Sequence, residues 1–398
     1  MDARRSTLDY TPLAKFLHWA VAGMIVVQFS LANFAKAAEE AGSKLGQLVL
    51  LANHKSVGIT VLGLAILRLG WRLVNKPPAF PAFLPRWQIL ASHASHWLLY
   101  ALLIVMPISG WLMSSASAYS VSWFNLFQLP DFVAPDPNLK ENLESTHKIL
   151  ARALFAIAGI HILAALKHAV IDRDAILQRM TSVASVVMFI LIIVVGVIAL
   201  GGAGKSFAMD EPDATLAQTS EENNDEAIER GLPRWNIDYD ASFIRFTGIQ
   251  AGATFEGAWQ SWLADIRFSE SNLTASAFDV IINTAAVDTK DDDRDSTLAE
   301  AEWFDSDNFP EARFVAKRFS PADGGDFTAD GELYVKAHAV PVSLRFNVTE
   351  DGGRRVLAGS AVLDRLALRV GTGEWVDTTW IGRDVSVEVR VVATILQQ

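Results

Sequence analysis

Five long apolar stretches constrain this chain more than any other feature of its 398-residue sequence. A helix rises 1.5 Å per residue, so roughly 20 apolar residues are enough to cross a hydrocarbon layer about 30 Å thick. The stretches therefore predict five transmembrane helices and a protein that stays in the membrane. They lie at about residues 13–34, 48–69, 92–113, 148–169 and 183–200.

The basic residues of the short loops predict the orientation of these helices, because loops rich in Lys and Arg remain in the cytoplasm. Such residues lie before the first stretch (Arg4 and Arg5), between the second and third, and between the fourth and fifth, whereas the other loops are neutral or acidic. We expect a cytoplasmic N-terminus in a bacterial inner membrane. Everything beyond residue 200 then lies in the periplasm, after an acidic segment (202–232) that is typical of a flexible linker.

Charge and cysteine content exclude several kinds of function. The chain has no cysteine, which excludes disulfides, iron–sulfur clusters, thiolate zinc sites and covalently attached c-type haem. Its net charge is −11, and it has no basic face suited to nucleic acid. Any metal must therefore be bound by histidine or carboxylate ligands, and nucleic acid is not an expected partner.

The histidines concentrate in the membrane half. Seven of the eight lie in or at the ends of the first four stretches, and only His338 lies beyond them. Burying an ionisable residue in a membrane is costly, so each is a functional candidate. Contact with lipid headgroups is the competing interpretation, above all for His93, His96 and His168. The seven are His18, His54, His93, His96, His147, His161 and His168.

The spacing of His147 and His161 predicts two stacked cofactors. They are 14 residues apart, so on one helix they share nearly the same face about 21 Å apart along the axis. Haem b suits this arrangement, because its iron takes two axial imidazoles and needs no cysteine. By depth, His54 pairs with His147 and His18 with His161, and we expect two haem b groups with these iron ligands. His168 is a rival to His161 that lies two turns closer to the cytoplasm.

Basic side chains beside these histidines predict contacts to anionic groups. On the periplasmic side we expect pairing with haem propionates or attraction of an anionic reactant, and on the cytoplasmic side binding of propionates or a quinone headgroup. Lipid headgroup contacts and the ordinary cytoplasmic excess of arginine are the alternatives. The periplasmic set is Lys55, Lys148 and Arg152, and the cytoplasmic set is Arg68, Arg72, His96 and His168.

A group of motifs runs through the membrane half. They are His18-Trp19, His54 with Gly58, the run 67–72 (LRLGWR), His96 with Tyr100, Pro107 and Gly110, and His147, His161 and His168 followed by Asp172, Asp174 and Arg179-Met180. With them, residues 8–180 resemble the bacterial cytochrome b561 family. The resemblance implies a four-helix membrane protein with two haems that exchanges electrons with the quinone pool, in a family with a member that oxidises superoxide. The fifth stretch (181–201) is a departure, because family members usually stop after four helices.

The sequence changes texture from Trp235 onwards, where short alternating apolar stretches separated by turn residues predict an antiparallel all-β domain. About 165 residues with this spacing fit a barrel or a sandwich, and a closed barrel of about eight strands can hold one elongated apolar ligand. No motif places a nucleophile beside His338. The Asp-rich run 288–295 lacks the features of a calcium loop and is expected to be a solvated turn. Aromatic residues that either line a cavity or fill the core are Phe243, Phe246, Trp303, Phe304, Phe309, Trp375 and Trp380.

A second group of motifs occurs in this half. They are 235–238 (WNID), 255–257 (FEG), 287–289 (VDT) with Arg294-Asp295, 303–305 (WFD) and 371–375 (GTGEW). With them, residues 233–397 resemble the YceI-like family. The resemblance implies a lipocalin-like barrel whose interior holds a polyisoprenoid chain, isoprenoid quinones included. Where members commonly carry a histidine after the Arg-Asp pair, this chain has Ser296 and Thr297.

The two halves predict a multi-domain protein: an all-α four-helix di-haem membrane bundle (8–180), a fifth transmembrane helix (181–201), a linker (202–232) and an all-β lipocalin-like barrel (233–398). We expect electron transfer, as an oxidoreductase, between the quinone pool and a periplasmic reactant, either superoxide or an isoprenoid quinone held by the barrel. The competing hypothesis is a periplasmic isoprenoid or lipid carrier that the membrane half merely anchors. A haem-based sensor is a third possibility, but the short cytoplasmic loops offer no output module.

Overall fold

A computed structural model of the chain describes residues 9–201 and 232–395. The basic N-terminal residues Arg4 and Arg5 and the predicted linker, except for its last residue, lie outside the described residues. The chain divides into two compact units, Met1–Phe207 and Ala208–Gln398.

Five long helices account for the first unit. They are α1 (Pro12–Glu40), α2 (Lys44–Val74), α3 (Arg86–Ala116), α4 (Pro137–Val170) and α5 (Val183–Gly201). Each is long and apolar enough to span a membrane, which confirms the prediction of five such helices. The first four extend past their apolar stretches into polar sequence, where Thr11, Ser43 and Asp136 cap α1, α2 and α4 by accepting hydrogen bonds from first-turn amides.

The helices pack in two groups. α1 packs along α2 and α5, while α4 packs chiefly along α3, and α2 joins the groups through α3. Leu31, Val49 and Val57 are fully buried where α1 and α2 meet, whereas Leu154 is the one buried side chain described for α4. The apolar faces of α1 and α2 therefore form most of the bundle core.

A small hairpin of β1 (Ser122–Trp123) and β2 (Phe127–Gln128) in the α3–α4 connection folds back onto α2. Phe124 and Asn125 at its tip both have positive φ, 48° and 58°, and the Leu126 amide donates to the Trp123 carbonyl at 2.9 Å. Ser56 of α2 accepts from the Phe124 amide at 3.0 Å, which holds this bulky residue in an unfavourable backbone region. We call this end of the bundle the hairpin end and the opposite one the N-terminal end.

The second unit is one curled antiparallel sheet. Its ten strands follow the order β5-β6-β8-β9-β10-β11-β12-β3-β4-β7. The two ends of the sheet approach each other, because the Ala264 amide of β5 donates to the Tyr239 hydroxyl of β3 at 3.2 Å. This half-barrel confirms the predicted lipocalin-like all-β fold. The strands are β3 (Trp235–Gln250), β4 (Ala253–Trp259), β5 (Trp262–Arg267), β6 (Ala277–Asn283), β7 (Val287–Asp288), β8 (Glu311–Pro321), β9 (Phe327–Val335), β10 (His338–Asp351), β11 (Arg354–Asp364) and β12 (Asp384–Ile395).

A cluster of phenylalanines fills part of the sheet's concave core. Phe268 lies 5.1 Å from both Phe327 and Phe346, and Phe278 lies 4.8 Å from Phe319, measured between ring centroids. All three contacts are edge-to-face, an arrangement that the ring quadrupole favours. The cluster anchors β6, β8, β9 and β10 on one core.

The Asp-rich run is not the solvated turn that the sequence predicted. It forms a short helix, α6 (Asp292–Leu298), whose N-cap Asp291 accepts from the Arg294 amide at 2.7 Å. Asp291 and Arg294 are buried, and Asp295 accepts from the Thr289 amide and hydroxyl. Acidic residues are stabilising in the first turn of a helix, because the backbone amides there are unpaired. The acidic residues of this run therefore cap the helix.

Candidate functional site

Two histidines at the hairpin end have their tautomers fixed by their neighbours. His54 Nδ1 lies 3.1 Å from the Gln28 carbonyl, which can only accept, so Nδ1 carries the proton. His147 Nδ1 lies 3.0 Å from Ser109 Oγ, and that hydroxyl already donates to the Met106 carbonyl at 2.7 Å. Ser109 must therefore accept from His147. Both rings keep an unprotonated Nε2, which is the state that a metal ligand requires.

Glycines allow close approach at this end. A Cβ on Gly110 would lie 3.0 Å from Cε1 of His147, so the absence of a side chain lets the imidazole lie against α3. A Cβ on Gly58 would lie 3.2 Å from Nε2 of Gln28. Gly23 and Gly159 differ: the first is packed against Ile192 of α5, and a Cβ on the second would meet nothing within 4 Å. Of these four glycines, only Gly159 borders open space.

Three histidines meet at the N-terminal end. The ring centroid of His161 lies 6.3 Å from that of His18 and 5.3 Å from that of His96. The structure therefore brings together the predicted pair, and it adds His96 as an immediate neighbour of His161. All three side chains are half-buried.

At this end of the bundle, Arg68 occupies one ring nitrogen of His18. Its guanidinium donates to His18 Nδ1 at 2.8 Å, so a neutral His18 carries its proton on Nε2 in this arrangement. Arg68 and Arg72 both lie over the ring of Tyr100, at 5.3 and 5.5 Å from its centroid. His18 becomes a metal ligand through Nε2 only if Arg68 moves away from Nδ1.

His168 forms a separate polar cluster beyond His161. Its Nδ1 donates to Asp174 Oδ2 at 2.7 Å and lies 3.2 Å from Asp172, which also pairs with Lys167. His168 and Asp174 are mostly buried, with 15% and 12% of their side chains exposed. His168 is thus held by carboxylates and not beside His18.

The remaining predicted basic residues are Lys55, Lys148 and Arg152. Lys55 lies over the ring of Tyr119, 5.0 Å from its centroid, and Lys148 forms an ion pair with Glu144 on the surface of α4. Arg152 is exposed on the same helix. Sequence reasoning missed Ser109 and Gln28, because a buried serine or glutamine carries no signal until the fold places it beside a histidine.

The aromatic residues of the sheet divide between core and partial exposure. Trp303 and Trp375 are buried against each other at 5.4 Å between centroids, and Phe246 is buried against Trp259 at 4.7 Å. These three fill core, whereas Phe243, Phe304, Phe309 and Trp380 are half-buried. The hydroxyls of Ser296 and Thr297 donate to carbonyls of their own helix, α6.

Two features of the sheet have functional potential. The indole N–H groups of Trp235 and Trp259 are buried and have no hydrogen-bond partner among the described residues. An unpaired buried donor is costly, so a bound acceptor would stabilise it. Separately, burial and the nearby Glu374 raise the pKa of the Glu302 carboxyl above its usual value.

Comparison with known proteins gives two family matches. The model of the prokaryotic cytochrome b561 family matches residues 9–183, and that of the YceI-like domain matches residues 235–393. Both resemblances inferred from the motifs are therefore confirmed. The cytochrome model ends at the first residue of α5, so this helix lies almost wholly outside it.

Two named relatives agree with the cytochrome match. The chain is 35% identical over 128 residues to cytochrome b561 homolog 2 of Escherichia coli, covering 32% of this chain and 68% of that protein. It is 30% identical over 175 residues to a probable superoxide oxidase CybB of Yersinia pestis, covering 43% of this chain and 94% of that one. A polyisoprenoid binding domain from Saccharophagus degradans is 14% identical, with a TM-score of 0.33, over 41% of this chain and 99% of that structure.

Proposed function

The chain belongs to the cytochrome b561 family and carries a YceI-like domain, and from this premise we propose that it is an inner-membrane electron carrier with two b-type haems. It connects the quinone pool with a reactant on the other side of the membrane. The N-terminus lies in the cytoplasm and the YceI-like domain in the periplasm. The proposed domains are the bundle (8–180), the fifth helix (181–201), the linker (202–232) and the barrel (233–398).

The tautomers at the hairpin end carry the proposal. His54 and His147 each keep Nε2 free because a backbone carbonyl and a serine hydroxyl accept from Nδ1. Such outer hydrogen bonds fix the orientation of ligating imidazoles in metal sites. A histidine that merely contacted lipid headgroups would not need a buried partner on α1 or α3. We therefore assign one haem to His54 and His147.

The second haem is assigned to His18 and His161, on their proximity and on the spacing of His161 from His147. Binding requires Arg68 to leave His18 Nδ1. A haem propionate offers the guanidinium a stronger, charge-assisted partner than a neutral imidazole does, so the move is favourable once haem is present. Arg72 also lies over the ring of Tyr100 and is suited to bind a propionate in the same way.

When bound, haem supplies reversible one-electron transfer. In the proposed reaction, two superoxide anions each give up one electron and become dioxygen. One quinone takes up these two electrons and two protons and becomes quinol. The basic Lys55, Lys148 and Arg152 raise the local concentration of an anion such as superoxide at the hairpin end. An isoprenoid quinone held by the barrel is the other candidate reactant there.

The proton steps are assigned to the N-terminal end. His168 donates from Nδ1 to Asp174, which leaves its Nε2 to bind a quinone headgroup and to pass on a proton. His96, which lies beside His161, adds a further polar group at this end, as do Arg68 and Arg72 over the ring of Tyr100. With the N-terminus in the cytoplasm, we propose that quinone is reduced on the cytoplasmic side of the membrane.

Two histidine variants test the assignment. His147→Ala and His161→Ala should each remove one of the two haems, because each deletes a proposed iron ligand. Each variant should also stop superoxide-dependent quinone reduction. Ile149→Ala is the matched control, since Ile149 is an exposed residue of the same helix. Retention of both haems in either histidine variant would refute the ligand assignment.

A lipid-carrier function of the barrel is the second candidate, favoured by the unpaired indole donors of Trp235 and Trp259. A polyisoprenoid with a terminal oxygen would satisfy such a donor. If this were the whole function, His54→Ala would abolish haem binding at the hairpin end without changing the amount of isoprenoid that copurifies with the full-length protein.

A further inference from the structure

An arginine interrupts the apolar inner face of the curled sheet. Directly paired residues of two strands lie on the same face of a sheet, and successive residues alternate between its two faces. Leu357 of β11 pairs with Val391 of β12, and both are buried in the core, so Arg355, two residues before Leu357, faces inward as well. Its own partner in the register, Ala393, is buried in the same core. Arg355 therefore brings a positive charge to the concave side of the sheet.

The guanidinium of Arg355 lies beside an indole whose N–H group is unsatisfied. Its Cζ atom is 5.9 Å from the ring centroid of Trp235, a residue that is only 2% exposed. Trp235 Nε1 is buried and has no hydrogen-bond partner among the described residues. An unpaired buried donor is costly, so a ligand oxygen that accepts from it would stabilise this part of the sheet.

Neighbouring acidic residues do not neutralise Arg355. Glu350 lies opposite it in the register of β10 and β11, but Glu350 is exposed, and the two form no ion pair in the part of the chain that the structure describes. The adjacent Arg354 differs, because it lies on the outer face and pairs with Asp238 at 3.6 Å. Arg355 is half-buried, so its charge is available to a ligand on the inner face.

The inner face next to Arg355 has room for an apolar chain. An inward-facing apolar side chain that stays partly accessible borders space that no other side chain fills. Several such side chains follow one another on β3, β10, β11 and β12, and a bound chain would bury them further, at about 0.8 kcal/mol for each buried CH₂ group. They are Ile237, Val348, Ala361, Val387 and Val389.

We propose that the concave face binds a single-chain amphiphile with an acidic headgroup, and that Arg355 and the indole N–H of Trp235 select this headgroup. A guanidinium donates two parallel hydrogen bonds to a carboxylate or a phosphate, and such charge-assisted bonds are about twice as strong as neutral ones. A neutral alcohol accepts from the indole but gains no ion pair. The proposal rests on the sheet acting as a lipid carrier, the second function proposed above, and it does not depend on haem.

Photolabelling of the full-length protein in phosphatidylcholine nanodiscs tests this selectivity. The probes are hexadecanoic acid, hexadecyl phosphate and hexadecanol, each with a diazirine at the same position of its chain, at a pH where both acids are ionised. At least one acidic probe should label the sheet about tenfold more than hexadecanol does, or about 1.4 kcal/mol. Labelling of the membrane-spanning helices, which meet all three probes in the bilayer, corrects for the amount of probe dissolved in the lipid.

Two adjacent arginines provide the variant and its matched control. Arg355→Gln should reduce labelling of the sheet by the acidic probes to the level of hexadecanol, because the inward charge is lost. Arg354→Gln should leave this labelling unchanged, because Arg354 lies on the outer face. Arg355→Lys keeps the charge and should retain a preference for the acidic probes. Trp235→Phe removes the indole N–H and should lower the labelling by all three probes.

The outcomes separate this proposal from the carrier function on which it rests. Equal labelling of the wild-type sheet by acidic and neutral probes would overturn the acidic headgroup and leave the carrier function standing. Labelling of the sheet by none of the probes would contradict both. Equal labelling of Arg355→Gln and Arg354→Gln by the acidic probes would refute the role of Arg355. If the proposal holds, the acidic probe that labels more strongly identifies the headgroup as a carboxylate or a phosphate.

Discussion

Removing the hydroxyl of Ser109 should loosen one haem and leave the other in place. Ser109 Oγ accepts from His147 Nδ1 at 3.0 Å and thereby fixes the ring with Nε2 free. Deleting such an outer partner costs about 10–100-fold in metal affinity. We expect the lower end of this range, about tenfold or 1.4 kcal/mol.

The assay for Ser109→Ala measures haem transfer from the purified protein to excess apomyoglobin. The change in Soret absorbance reports the transfer. For one of the two haems, the equilibrium constant for transfer should be about tenfold larger than in the wild type. Ser114→Ala is the control, because Ser114 is equally buried on α3 but its hydroxyl has no hydrogen-bond partner among the described residues. Equal haem retention in Ser109→Ala and the wild type, or equal loss in both variants, would refute the assigned role of Ser109.

Three further predictions concern the quinone end and the sheet. Asp174→Asn should slow quinone reduction by about 100-fold with an unchanged haem spectrum, because His168 loses the carboxylate that accepts its Nδ1 proton; normal turnover would contradict this. Phe346→Ala should lower the free energy of unfolding of the sheet by about 3–5 kcal/mol in urea titrations, whereas the exposed Val362→Ala should change it by less than about 0.5 kcal/mol. The pKa of Glu302 is raised in the folded protein, so its protonated form contributes stability that is fully present below pH 4.5, the ordinary pKa, and is lost as pH rises through the higher folded-state pKa. Glu302→Gln should therefore flatten the fall in stability above pH 4.5. Parallel stability–pH profiles of the two proteins would disprove this.

The sequence was sufficient for the elements whose signals are local. Long apolar stretches specify five helices whatever packs around them, and the spacing of His147 and His161 follows from helical geometry. The alternating stretches specified the sheet, although not every apolar residue of such a stretch joins a strand: Leu273 lies in a short turn of 3-10 helix, and β6 begins only at Ala277. Composition and periodicity therefore carried the architecture.

Tertiary contacts account for what the sequence did not reveal. Ser109 and His147 are separated by 38 residues, and nothing in either neighbourhood marks one as the acceptor for the other. The same holds for Arg68 against His18, whose contact is set by the crossing of α1 and α2. The Asp-rich run was misjudged for a different reason, since the same residues serve as a solvated turn or as the capped first turn of a helix, and only the burial of Arg294 distinguishes them.

The central claim is that this chain holds two haems between paired histidines. A pyridine haemochrome determination on the detergent-purified full-length protein, combined with a reduced-minus-oxidised spectrum, measures the number and type of haem per chain. The account predicts two b-type haems. A single haem would show that one of the pairs His54–His147 and His18–His161 is wrongly assigned, and the absence of haem would contradict the proposed electron transfer altogether.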